Sequence, residues 1–94
     1  MNARSPRVLN KRRHGVPTGA VYVGRPSIWG NPFVIGKDGT RNDVIAKYRD
    51  YLLSNSSLMA KLEGELKGRD LVCWCAPEAC HADVLIELAN KVNP

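Results

Sequence analysis

Two short apolar runs, Ala20-Val21-Tyr22-Val23 and Leu71-Val72-Cys73-Trp74-Cys75, constrain this chain more than any other feature. Turn-forming residues bound both: Gly19 and Gly24 around the first, Gly68 to Asp70 and Pro77 around the second. Neither run alternates polar with apolar, and both are rich in β-branched or aromatic residues, the mark of strands covered on both faces. Helical periodicity fills the segment between them, and a parallel pair needs a helical crossover of that kind. The expected fold class is therefore α/β, a single small domain. Its sheet would be three- to four-stranded and mostly parallel, with two to three helices. Arg7 to Asn10, as a short edge strand, and Phe33 to Ile35 are the candidates for the remaining strands.

The helices follow from spacing. Thr40 and Asp43 have the separation of a capping box. Behind them Val44, Ile45, Tyr48, Tyr51 and Leu52 fall on one stripe, with Lys47, Arg49 and Asp50 opposite. This helix should stop near Ser54-Asn55. A second, over residues 57–65, stacks Leu58 on Leu62, and Gly64 weakens its end. Pro77 suits the first position of a last helix running to about Lys91, with Val84, Leu85, Leu88 and Val92 facing inward. Residues 1–6 read as a flexible basic tail and 7–94 as the domain.

No apolar stretch is long enough to span a bilayer, and no apolar leader follows the basic start, so no membrane partner is expected. Three cysteines lie within eight residues, an odd and clustered set unlike a secreted disulfide framework; a reducing, cytoplasmic setting is expected. The net charge of +5 is uneven: the first 37 residues hold seven Lys/Arg and no acid. Arg4, Arg7, Lys11, Arg12 and Arg13 could contact nucleic-acid phosphates. No aromatics are interleaved with them for stacking on bases, which makes a solvated arm the plainer reading.

Ligands of open parallel sheets bind beyond the carboxyl ends of the strands. Here those ends are Gly24-Arg25-Pro26-Ser27 and Cys75-Ala76-Pro77. The long Gly/Pro-rich loop after the first adds Trp29, Gly30 and Asn31, and loops of this length are usually functional. Gly24, Arg25, Ser27, Trp29, Gly30, Asn31 and Cys75 are the candidate ligand-binding residues. Arg25 would meet an anion, Trp29 would stack, and Ser27 and Asn31 would orient the ligand. Each has a structural alternative: Trp29 can plug the core, and Asp70 can partner Arg25. No phosphate-loop or dinucleotide fingerprint is present.

Cys73, Cys75, Cys80 and His81 form a Cys₃His zinc set by residue type. Residues two apart on a regular strand are roughly 6.6 Å apart, whereas sulfurs sharing zinc lie roughly 3.8 Å apart. Cys73 and Cys75 could therefore share a metal only where the chain bends, and no cofactor is favoured; zinc is the alternative. Cys80 and His81 are the catalytic candidates, Cys80 because a helix N-terminus favours its thiolate. Neighbours on a helix point about 100° apart, which argues against His81 as its base.

Gly24-Arg25-Pro26-Ser27 with Trp29-Gly30-Asn31-Pro32-Phe33, and Cys73-Trp74-Cys75-Ala76-Pro77 with Cys80-His81, stand in a recognisable order. With the Arg41 helix and Leu88-Ala89-Asn90 they resemble the small bacterial and phage family catalogued as a domain of unknown function, DUF4326. Ala82 departs from the glycine more often expected there, which puts a close backbone approach at that point in doubt. The resemblance implies a compact intracellular domain, often phage-encoded, and supplies no reaction. Two functions therefore stand: a nucleotide-like or phosphorylated small molecule bound at the carboxyl edge of the sheet, or a zinc-stabilised adaptor for nucleic acid or a host protein. Neither enzymatic activity nor oligomeric state is legible.

Overall fold

Leu71, Val72 and Cys73 are all buried, as the centre of a sheet requires. In the computed structural model, which describes residues 6–76 and 78–90, they form β3 (Leu71–Cys73), flanked in parallel by β1 (Val8–Asn10) and β2 (Val21–Tyr22). The register pairs Val8 and Val21 with Leu71, and Leu9 and Tyr22 with Val72. The expected α/β class holds, with three parallel strands. The run at Ala20–Val23 is not a strand covered on both faces: β2 is an edge, and Val21 and Tyr22 are half-buried. Val23 extends its pairing, donating its N–H to the Val72 carbonyl at 2.9 Å.

Four helices accompany the sheet among the described residues: α1 (Lys11–His14), α2 (Arg41–Leu53), α3 (Ser56–Leu66) and α4 (His81–Ala89). Thr40 and Asp43 form the expected capping box, and Val44, Tyr48 and Leu52 bury the expected stripe of α2. Asn55 caps α3 by accepting the Leu58 N–H at 3.1 Å. The helix runs through Gly64 to Leu66, close to the expected bounds, with Leu58, Leu62 and Leu66 all buried, each contributing roughly 1.5–3 kcal/mol. The α4 helix packs on β3 and β1, and α2 and α3 pack against α4 and each other. Leu71, Cys73 and Val23 meet this helical layer in one apolar core.

Three local expectations fail for identifiable reasons. Residues 33–35 make no strand, because the Asp38 carboxylate accepts the Val34 N–H and the Val34 carbonyl accepts from Lys37 and Asp38, closing a turn. The strand at Leu71 stops at Cys73, where the chain bends through Trp74 and Cys75. The last helix begins at His81, later than expected, because Cys80 is its extended N-cap and the Asp83 carboxylate accepts the Cys80 N–H at 2.9 Å. Expectations for residues 1–5 (with Arg4), Pro77, Lys91 and Val92 lie outside the described residues. No helix among those described is long and apolar enough to cross a membrane.

Candidate functional site

All three parallel strands deliver their carboxyl ends to one edge, and the segments leaving β2 and β3, with the start of α2, enclose a cleft of about 380 Å³. Of the sequence-derived candidates, Gly24, Arg25, Asn31, Cys73, Cys75, Cys80 and His81 line it; Ser27, Trp29 and Gly30 do not. Trp29 sits in the core at 2% exposure, so stacking on a ligand is closed to it. Ser27 Oγ is buried with no hydrogen-bond partner among the described residues. Gly30 leaves room for Arg25, whose backbone nitrogen and Cα would lie within 3.2 Å of an added Cβ.

The loop over residues 24–39 is tied down along its length. Arg25 Nε donates to the Asn31 carbonyl at 2.8 Å and Nη2 to the Phe33 carbonyl at 3.2 Å, so its partner is its own loop rather than Asp70. Asp70 instead accepts the Arg7 N–H at 2.9 Å. Asn31 donates to the Val44 carbonyl and accepts from the Phe33 N–H, and Tyr48 donates to the Trp29 carbonyl at 2.7 Å. These bonds dock the loop on α2. Gly24 carries no side chain because the Tyr22 ring folds over it; an added Cβ would collide with the Tyr22 hydroxyl.

Spacing in the sequence did not point to Tyr22, Phe33, Arg41 and Trp74, which also line the cleft. Trp74 is 52% exposed, its Nε1 donating to the Tyr22 hydroxyl at 2.9 Å and Lys11 Nζ lying 5.2 Å from its ring centroid. Arg41, in the first turn of α2, donates to the Ala79 carbonyl at 3.1 Å and faces the exposed Glu78 at 3.7 Å. Asn10 was also missed. Its Nδ2 donates to the Trp74 and Ala76 carbonyls at 3.1 and 2.8 Å, and its Oδ1 accepts the Arg12 N–H. One side chain thus caps α1 and clamps the bend after β3. That bend overturns the strand-spacing objection to a shared metal: the Sγ atoms of Cys73, Cys75 and Cys80 all lie within 4.8 Å of one another.

Cys73 and Cys80 are the closest of these, Sγ to Sγ at 3.0 Å. The Cys80 thiol donates to the Cys73 sulfur and brings the Cys73 pKa down to about 6 against its burial, with help from the N–H groups of Cys75 and Ala76. Donating that bond, and burial, push the Cys80 thiol up. His81 also departs from expectation. Because Cys80 is an extended cap rather than a helical residue, its Sγ lies 3.4 Å from His81 Nδ1. His81 Nε2 is 2.8 Å from the Val23 carbonyl, which can only accept, so Nε2 carries the proton and Nδ1 presents a lone pair. Burial lowers the His81 pKa and keeps the ring neutral. Cys80 therefore keeps its proton against the neutral His81 ring, and what the arrangement suits is a cation shared by the three sulfurs.

The sequence model of the family described as a domain of unknown function, DUF4326, matches residues 8–91. The chain belongs to that family. A 12.4 kDa uncharacterised protein from the nrdA-td intergenic region of Enterobacteria phage T4 is 33% identical over 91 residues, covering 92% of this chain and 79% of its own. An uncharacterised protein of Acanthamoeba polyphaga mimivirus is also 33% identical over 91 residues, covering 78% of this chain and 68% of its own. No solved structure matches. The family match spans both loops of the cleft, from β1 through α4.

Proposed function

We infer that the cleft binds an anionic small molecule of the nucleotide or phosphorylated-metabolite class. One observation carries this reading: two arginines, Arg25 and Arg41, and a half-exposed indole, Trp74, line a largely apolar cleft that no carboxylate lines among the described residues. The volume lies toward the lower end for small-molecule sites. Its place beyond the carboxyl ends of parallel strands is where such ligands bind. The basic turn α1 adds the exposed Arg12 and Arg13 to the same edge, directly after β1. Arg41 is the anion contact in this reading: Arg25 spends two of its donors on its own loop, whereas Arg41 spends one on the Ala79 carbonyl and faces the exposed Glu78. Trp74 takes the stacking role first given to Trp29. Cys75, Cys80 and His81 line the same cleft.

Titration with a panel of nucleoside monophosphates, with inorganic phosphate as the control, tests this by the quenching of Trp74 fluorescence. A saturable quench with at least one nucleotide is expected. Arg41→Ala should weaken it about tenfold or more, the usual loss when a charged hydrogen bond is removed. Trp74→Phe should abolish the optical response. Absence of a saturable response across the panel, or an affinity unchanged by Arg41→Ala, overturns the assignment.

A further inference from the structure

We propose that Cys73, Cys75 and Cys80 bind one thiophilic divalent cation of the zinc class at the floor of the cleft, with His81 Nδ1 as the fourth donor. The sulfurs come from the end of β3, the bend after it and the cap of α4, and converge within 4.8 Å. Tetrahedral zinc with bonds of about 2.3 Å to sulfur and 2.0–2.1 Å to nitrogen sets S–S near roughly 3.8 Å and S–N near roughly 3.6 Å. The Cys80–Cys73 and Cys80–His81 separations of 3.0 and 3.4 Å lie near those values; His81 Nδ1 does not lie within 4.8 Å of all three sulfurs, so it joins them only by moving inward.

What surrounds the sulfurs suits thiolates. The backbone N–H of Cys75 points at Cys73 Sγ from 3.4 Å, and Arg41 lines the same cleft as Cys75 and Cys80. An N–H donor and a guanidinium beside adjacent sulfurs stabilise negative charge there. Three thiolates this close repel one another unless a cation lies between them. His81 completes the pattern, since a metal-bound imidazole characteristically donates its other ring N–H to a carbonyl, as Nε2 does to Val23. With three thiolates and a neutral imidazole, a divalent ion leaves a single negative charge, and Arg41 stands beside it. Sulfur and imidazole ligands select zinc-like ions over calcium or magnesium. Binding displaces the thiol protons to solvent, so affinity should rise with pH.

The test uses the full chain, purified reduced and without chelators. Native mass spectrometry should find one zinc per chain. Cadmium added to the metal-free protein should give a sulfur-to-metal charge-transfer absorption that saturates at one equivalent. Cys75 is only half-buried, which makes Cys75→Ser the variant best placed to stay folded. It should weaken cadmium binding about tenfold or more, since losses even around a ligand shell cost that much. Circular dichroism on the same samples reports folding. If Cys75→Ser is unfolded, thiol labelling of the intact chain decides: the half-buried Cys75 should be protected by one equivalent of cadmium and released by chelator, and labelling unchanged by cadmium overturns the proposal. A folded, reduced chain that gives no saturable cadmium signal overturns the proposal. So does a Cys73–Cys80 disulfide in anaerobically purified protein, or binding unaffected by Cys75→Ser.

Discussion

Two loops meet at the carboxyl edge of the sheet, and they are held in opposite ways. The loop over residues 24–39 is fastened to α2 through Asn31, Tyr48 and Lys47, and it sends Trp29 into the core. The bend over residues 74–80 is fastened by Asn10, by the cap of α4 and by its own sulfurs, and it leaves Trp74 half in solvent. The two tryptophans carry the contrast in miniature. One indole is structural filling; the other is surface offered to the cleft. Loop length and glycine content marked the first loop as functional, yet its polar groups are mostly spent on holding shape. Much of the uncommitted chemistry lies in the shorter bend.

The largest test of this contrast is truncation of the two indoles. Trp29→Ala should cost roughly 3–5 kcal/mol in denaturant unfolding. Trp74→Ala should cost about 1 kcal/mol or less, its lost contacts being one exposed hydrogen bond and one cation–π pair. Equal losses would break the comparison. Next, Tyr48→Phe should cost about 1–3 kcal/mol, because it leaves the buried Trp29 carbonyl without a donor. It should leave cadmium binding unchanged, since the loop it holds is not the one bearing sulfur. Asn10→Ala should do the reverse: a stability loss of about 1 kcal/mol, accompanied by weaker cadmium binding as the bend loosens. Unchanged metal affinity there would reduce Asn10 to a helix cap.

The smallest effect concerns pH. The Thr40 N–H and hydroxyl hold the Asp43 carboxyl below the usual carboxylate range. Its folded pKa is lowered, so its contribution is complete above the unfolded-state pKa and disappears as pH falls through the folded one. Asp43→Asn should therefore remove part of the acid-side decline in stability measured by urea unfolding between neutral pH and the carboxylate range. An unchanged profile would take the capping box out of the account.

The helices were legible because periodicity and capping are local: Thr40, Asp43 and the Val44 stripe behave as spacing dictates. Sheet order was not. Ala20–Val23 and Leu71–Cys75 look alike as apolar runs, and only tertiary pairing makes one an edge and the other the centre. Within the site, the sheet-edge argument found Gly24, Arg25, Asn31 and the cysteines, because it follows from strand direction. It misassigned Trp29 and gave no sign of Trp74 as a cleft wall, because inward and outward rotation of a loop tryptophan leaves no trace in spacing. The geometric case against a shared metal assumed a straight strand through Cys75. Asn10, more than sixty residues away, helps bend it.

The central strand of the sheet is also the last strand among the described residues. A ribosome that has released β1 and β2 has produced two strands that do not pair with each other, and neither gains a ladder until Leu71–Cys73 arrives between them. Chains grow N-terminus first at about 5–20 residues per second, so the early strands wait several seconds for β3, their partner in the sheet. The cysteines arrive with that same segment. Closing the sheet and assembling the sulfur cluster are therefore one late event in the life of the chain, and any nascent fragment ending before Cys73 has neither.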